Sequence, residues 1–146
     1  MRPISKIIIH CSATPADMDI GAKEIDRWHK ERGWSGIGYH AVIRRNGDIE
    51  RGRDDDAIGA HAKGYNAGSL AVCMVGGVDE NGAPETNFLP AQYESLTAVV
   101  ANWRNEYGVK DEGIMGHRDL PGVKKACPCF DARAWWAANK EAVSRD

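Results

Sequence analysis

Three side chains of this sequence could together hold a zinc ion: His10, His117 and Cys127. His10 closes the β-branched run Lys6-Ile-Ile-Ile9, and His117 closes the short run Gly113-Ile-Met-Gly116. Each histidine therefore stands where a strand gives way to a loop, the edge of an α/β sheet at which ligands bind. Cys127 follows on the same loop as His117. Two neutral imidazoles and one thiolate suit zinc, and three protein donors leave a fourth position open for water. The spacing alone is weak, because neither an HExxH helix nor a paired CxxC is present, and each histidine alone reads as a core or surface residue.

The neighbouring residues have bland readings of their own. Cys127-Pro128-Cys129 could offer two thiols, but strand-like alternation turns them apart, so one ligand and one bystander is the simpler reading. Cys11 and Cys73 sit in apolar strand contexts and read as small packing residues. Tyr39 and His40 are adjacent on an expected strand, so one of them faces the site. Lys125 by itself reads as a solvated lysine. The tryptophans read as core anchors, with Trp34 beside Gly33 at the rim of a pocket. Asp54-Asp55-Asp56 lacks the fuller pattern of a calcium loop and reads as a solvated acidic turn.

The elements that must position these residues follow from periodicity. Ser5 to His10 and Leu70 to Val75 are apolar runs expected as buried strands. Tyr39 to Arg45, the Asn46-Gly47 turn and Asp48 to Arg51 make a hairpin. Further short strands are expected near Ala57 to His61 and at Gly113 to His117. Asp17 or Asp19 can cap a helix running to about Trp34, with Gly33 at its stop. Pro90 opens a second helix carrying Tyr93, Leu96, Val99, Val100, Trp103 and Tyr107, which Gly108 closes. Asp131 caps a third, bearing Trp135 and Trp136. Gly76 to Asn87 and His117 to Phe130 read as loops. The expected architecture is a single α/β domain over residues 1–146: a central mixed β-sheet flanked by about three α-helices.

Composition removes several classes of function. With 146 residues, 42% apolar and 27% charged, the chain supports one ordinary globular core rather than disorder. Its 19 basic and 21 acidic residues leave a formal charge of −2, without the cationic excess that displaces phosphate counterions, so direct nucleic-acid binding is not expected. The apolar run Ile7-Ile-Ile9 falls short of a signal-peptide core of roughly 7–15 residues, and no stretch reaches the ~20 needed to span a bilayer. A cytoplasmic chain with reduced thiols is the expectation.

Taken in order, the segments Ile7-Ile-Ile-His-Cys-Ser-Ala-Thr14, Trp28-His-Lys-Glu-Arg-Gly-Trp34, Gly38-Tyr-His40, Gly59-Ala-His-Ala-Lys-Gly-Tyr-Asn66, Val75-Gly-Gly-Val-Asp79 and Lys125-Ala-Cys-Pro-Cys-Phe-Asp131 resemble the zinc N-acetylmuramoyl-L-alanine amidases. These belong to the amidase-2 and peptidoglycan-recognition-protein superfamily, and the likeness runs from about Lys6 to Trp136. It implies His10, His117 and Cys127 as zinc ligands, Tyr39 and Lys125 as active-site residues, and His61 and Asn66 in the segment lining the substrate groove. It further implies one zinc ion and hydrolysis of the amide joining the lactyl group of N-acetylmuramic acid to L-alanine in bacterial peptidoglycan. A phage lytic enzyme fits best: a monomer held in the host cytoplasm until a holin opens the membrane. Two alternatives come with the resemblance. Some members bind peptidoglycan without cutting it, usually where the ligand cysteine is missing, and a phage member also binds and inhibits an RNA polymerase. Two departures stand out: Cys129, where the pattern usually has a small residue, and a short arm before the first strand.

Overall fold

The computed structural model describes residues 2–142. In chain order the elements are β1 (Lys6–Cys11), β2 (Thr14–Pro15), α1 (Ala22–Glu31), β3 (Ala41–Ile43), β4 (Ile49–Arg51), β5 (Ser69–Met74), β6 (Gly77–Val78), α2 (Pro90–Tyr107), β7 (Ile114–Gly116) and α3 (Ala132–Asn139). The main sheet has five strands in the order β4-β3-β5-β1-β7. Only the edge pairing β3–β4 is antiparallel, so the sheet is mixed, as expected.

β1 lies between β5 and β7, with Ile7 opposite both Leu70 and Ile114 and Ile9 opposite both Val72 and Gly116. Strands buried on both faces need apolar residues at every position, which is why these runs do not alternate. Ile7, Ile9, Leu70, Val72 and Met74 pack against Leu96, Val100 and Trp103 of α2 and Trp136 of α3. Val42 and Cys73 on the opposite face meet Ile25 of α1. Ile8 also lies buried on that opposite face, and the period of two puts His10 there with it, at the C-terminal end of its strand.

Helix ends follow their local chemistry. Pro90 occupies the first turn of α2, and Gly108 closes it in the left-handed conformation at φ 68°. The Asp131 side chain accepts from the Ala134 amide at 3.1 Å to cap α3. The start of α1 differs from expectation: it begins at Ala22, not after Asp17 or Asp19. Glu24 reaches back to accept from the Gly21 amide at 2.7 Å, and Glu50 accepts from the Ala22 amide at 2.8 Å. Asp19 is instead drawn to Arg44, at 3.0 Å.

The strand expected near Ala57 to His61 does not form. The His61 and Ala62 amides both donate to Asn66 Oδ1 at 2.9 Å, so a side chain takes the place of a neighbouring strand. The expected Tyr39–Arg45 strand is shorter, with Tyr39 and His40 just ahead of it. A small parallel pair, β2 with β6, forms where the sequence suggested only loop.

Candidate metal centre

The parallel register decides where the three candidate donors meet. Ile9 pairs with Gly116, so the next residue on each strand, His10 and His117, emerge side by side, with ring centroids 4.6 Å apart. Cys127 arrives from the loop that follows, tied back by the Arg118 amide donating to the Cys127 carbonyl at 2.9 Å. Gly116 makes room for that loop: a Cβ there would stand 2.7 Å from Pro128 Cδ. The donor atoms of His10, His117 and Cys127 all lie within 4.8 Å of one another.

This set fits zinc. Donors 2.0–2.3 Å from one ion at tetrahedral angles stand roughly 3.3–3.8 Å apart. His10 Nδ1 is 3.8 Å from Cys127 Sγ. Burial, followed by the nearby His61, His117 and Lys125, holds the His10 imidazole well below its ordinary pKa. Burial and then the Lys125 charge lower His117. Both rings are thus kept neutral, the form that ligates a metal. The Cys11 amide donates to Cys127 Sγ at 3.2 Å, a contact that stabilises sulfur carrying negative charge.

Cys129 stands apart from this set. Its amide donates to the Ala126 carbonyl at 2.7 Å in a tight turn, and its φ is 68°. A turn, not strand alternation, therefore separates the two thiols. Cys129 Sγ lies 3.8 Å from the Cys11 thiol, and burial pushes its pKa up to about 12. Cys11 is buried as expected of a packing residue, but it also borders the site through its amide, a role its composition does not signal.

The remaining expected residues surround the donors. The Tyr39 ring packs on His10 with centroids 5.1 Å apart, while His40 turns away into a fully buried position. Burial, then the thiols of Cys73 and Cys127, raise the Tyr39 pKa well above its usual value, so its phenol stays protonated. Lys125 is exposed, close enough for its charge to act on both histidines. His61 sits directly behind His10, with its Nδ1 2.9 Å from His10 Nε2. Burial lowers its pKa to about 3. Asn66 holds the His61 loop through the two amide bonds already described. Trp34 is exposed and its ring lies tilted against His29, centroids 4.7 Å apart.

Comparison with known proteins shows the family. The family described as N-acetylmuramoyl-L-alanine amidase matches residues 1–130, and the chain belongs to that family. The endolysin of Klebsiella phage KP32 is 49% identical over 140 residues, covering 96% of this chain and 90% of that protein. The endolysin of Escherichia phage T7 is 44% identical over 138 residues, covering 94% and 89%. Among solved structures, the N-acetylmuramoyl-L-alanine amidase LysC from Clostridium intestinale URNW superposes with a TM-score of 0.80 at 31% identity, covering 98% of this chain and 88% of that one. Drosophila PGRP-LB superposes with a TM-score of 0.73 at 26% identity, covering 95% and 81%. Among the described residues no helix is long and apolar enough to cross a membrane.

Proposed function

We propose that this amidase works with one zinc ion held by His10, His117 and Cys127, and cuts the lactyl–L-alanine amide of peptidoglycan as a phage endolysin. The supporting observation is the convergence of two neutral imidazoles and a thiol, from residues as far apart as 10 and 127, to within 4.8 Å. A zinc ion with three protein donors supplies Lewis acidity, activating water near neutral pH and polarising a carbonyl.

The chain's own residues do the rest. His10 and His117 bind as neutral donors, and the Cys11 amide supports the charge on Cys127. As water adds to the scissile carbonyl, negative charge grows on its oxygen, and the Lys125 ammonium reaches in from solvent to stabilise it. Tyr39, protonated and packed on His10, acts as a hydrogen-bond donor to the reacting group rather than as a base. The carbon–nitrogen bond then breaks, the water's oxygen staying on the lactyl carbonyl carbon as a carboxyl group, and the alanyl nitrogen leaves as an amine after taking up the proton that the water gave up on adding. Asn66 serves the groove by holding the loop that carries His61.

The protein acts as a monomer on the cell wall, reaching it from the host cytoplasm once a holin has opened the membrane. An RNA polymerase is a second proposed partner, resting on family resemblance alone and checked by a transcription assay. Metal analysis of the purified chain, paired with release of alanyl peptides from cell walls before and after chelation, tests the main reading. Stoichiometric zinc with chelator-sensitive release supports it. Full hydrolysis by a metal-free chain overturns it.

A further inference from the structure

A directed chain of hydrogen bonds runs away from the metal centre. Ser69, the first residue of β5 and fully buried, donates its only hydroxyl proton to the Tyr65 carbonyl at 2.8 Å. That carbonyl can only accept, so the direction is fixed. Ser69 Oγ is also 3.0 Å from His61 Nε2, and having spent its proton it must accept there. His61 therefore carries its proton on Nε2 and presents a lone pair at Nδ1. That lone pair faces His10 Nε2 at 2.9 Å, so His10 must donate from Nε2. A neutral imidazole has one N–H, which leaves His10 Nδ1 bare, and Nδ1 is the atom turned toward Cys127.

From this geometry we infer that Ser69 and His61 are positioning residues: they fix the Nε2-protonated tautomer of His10 before any metal arrives and aim its Nδ1 lone pair at the zinc position. His61 thus acts through His10 rather than by lining the groove. The inference rests on the zinc reading above and adds the cause of the ligand's orientation. Outer partners of this kind typically change metal affinity by about 10–100-fold. They keep an imidazole from paying for a tautomer change or ring rotation on binding.

The test has two arms. Nitrogen-15 correlation spectra of the metal-free wild type report directly which imidazole nitrogens carry protons. Nε2–H on both His10 and His61 is expected, and Nδ1–H on His10 overturns the inference. In the second arm zinc affinity is measured by competition with a chelator. His61→Phe, which fills the space without accepting a hydrogen bond, is expected to bind about 10–100-fold more weakly. His61→Asn, whose carbonyl can stand near the Nδ1 position, is expected to recover most of the loss. Ser69→Ala frees the His61 tautomer and is expected to fall between them. Wild-type affinity in His61→Phe overturns the relay while leaving the zinc site intact, whereas a wild type that takes up no zinc overturns the zinc reading and the relay with it. Should His61→Phe fail to fold, the wild-type spectra still decide.

Discussion

The backbone amide of Cys11 lies 3.2 Å from the sulfur of Cys127, a residue 116 positions further along the chain. This contact joins the end of the central strand to the loop after β7 without using any ionisable group of Cys11. Hydrogen bonding to Cys127, together with burial, pushes the Cys11 thiol up, so Cys11 stays a neutral neighbour. The thiol assigned to the metal is thus held by a backbone donor that no substitution at Cys11 other than proline would remove.

Cys127→Ser should lose zinc and hydrolysis together. Replacing a soft thiolate with a hydroxyl removes a ligand outright, so affinity should fall by more than the roughly 10–100-fold expected for an outer partner. Isothermal titration with zinc beside a wall-release assay checks both. Full wall release by a zinc-free Cys127→Ser chain would contradict the ligand assignment.

Lys125→Ala should keep its zinc and lose turnover. Removing one donor to a developing oxyanion typically costs about 2.7–4 kcal/mol of barrier, or roughly 10²–10³ in kcat. Tyr39→Phe should likewise keep the metal and slow the reaction, because the phenyl ring retains the packing on His10 while losing the donor. Metal content and kcat measured on the same preparations separate these effects. Unchanged kcat in either variant removes that residue from the mechanism.

Gly116→Ala should weaken metal binding without touching a ligand. The new Cβ would meet Pro128 Cδ at 2.7 Å and Ala132 Cβ at 3.3 Å, both on the loop and helix that carry Cys127 into place. Overpacking of this kind costs about 1–3 kcal/mol. A denaturant titration should show the loss, and zinc competition should show a weaker site; wild-type values in both would show that the loop yields freely.

Metal-free protein should lose stability as the pH falls below about 6.5. The folded His61 titrates at about 3, whereas in the unfolded chain it takes up its proton near 6.5. Between those values the unfolded state binds a proton that the folded state refuses, so acid favours unfolding. The contribution is about 1.4 kcal/mol per pH unit across that window. His10 and His117 are shifted in the same direction and steepen the slope. Denaturant midpoints at pH 7, 6, 5 and 4 check the sign; a flat profile would mean that the folded histidines protonate as freely as the unfolded ones.

Much of the framework was legible without coordinates. The runs at Ile7-Ile-Ile9 and Leu70 to Val75 could only be buried strands, because chains so apolar must be covered on both faces. Pro90, Gly108 and Asp131 marked helix ends through fixed backbone preferences. The start of α1 was not legible, because Glu24 and Glu50, the latter from a distant hairpin, cap it in place of a local aspartate. The region from 57 to 61 is not a strand for a similar reason: the Ala57 amide turns back to the Asp54 carbonyl, the Ala60 amide goes to Gly38 and the His61 amide to the Asn66 side chain, partners that periodicity cannot reveal.

For the site, the sequence by itself supplied the donor types and their places at strand ends, since these depend on local composition and on motif order. Tertiary structure alone decided that His10 and His117 sit side by side, because strand register is a long-range property that neither segment encodes alone. It showed how the two thiols part, through a turn closed on Ala126 where strand alternation was expected, and it alone placed His61 and Ser69 behind His10. Hydrogen bonds between residues 51 positions apart leave no trace in spacing, because they form only once the sheet has brought their strands and loops together.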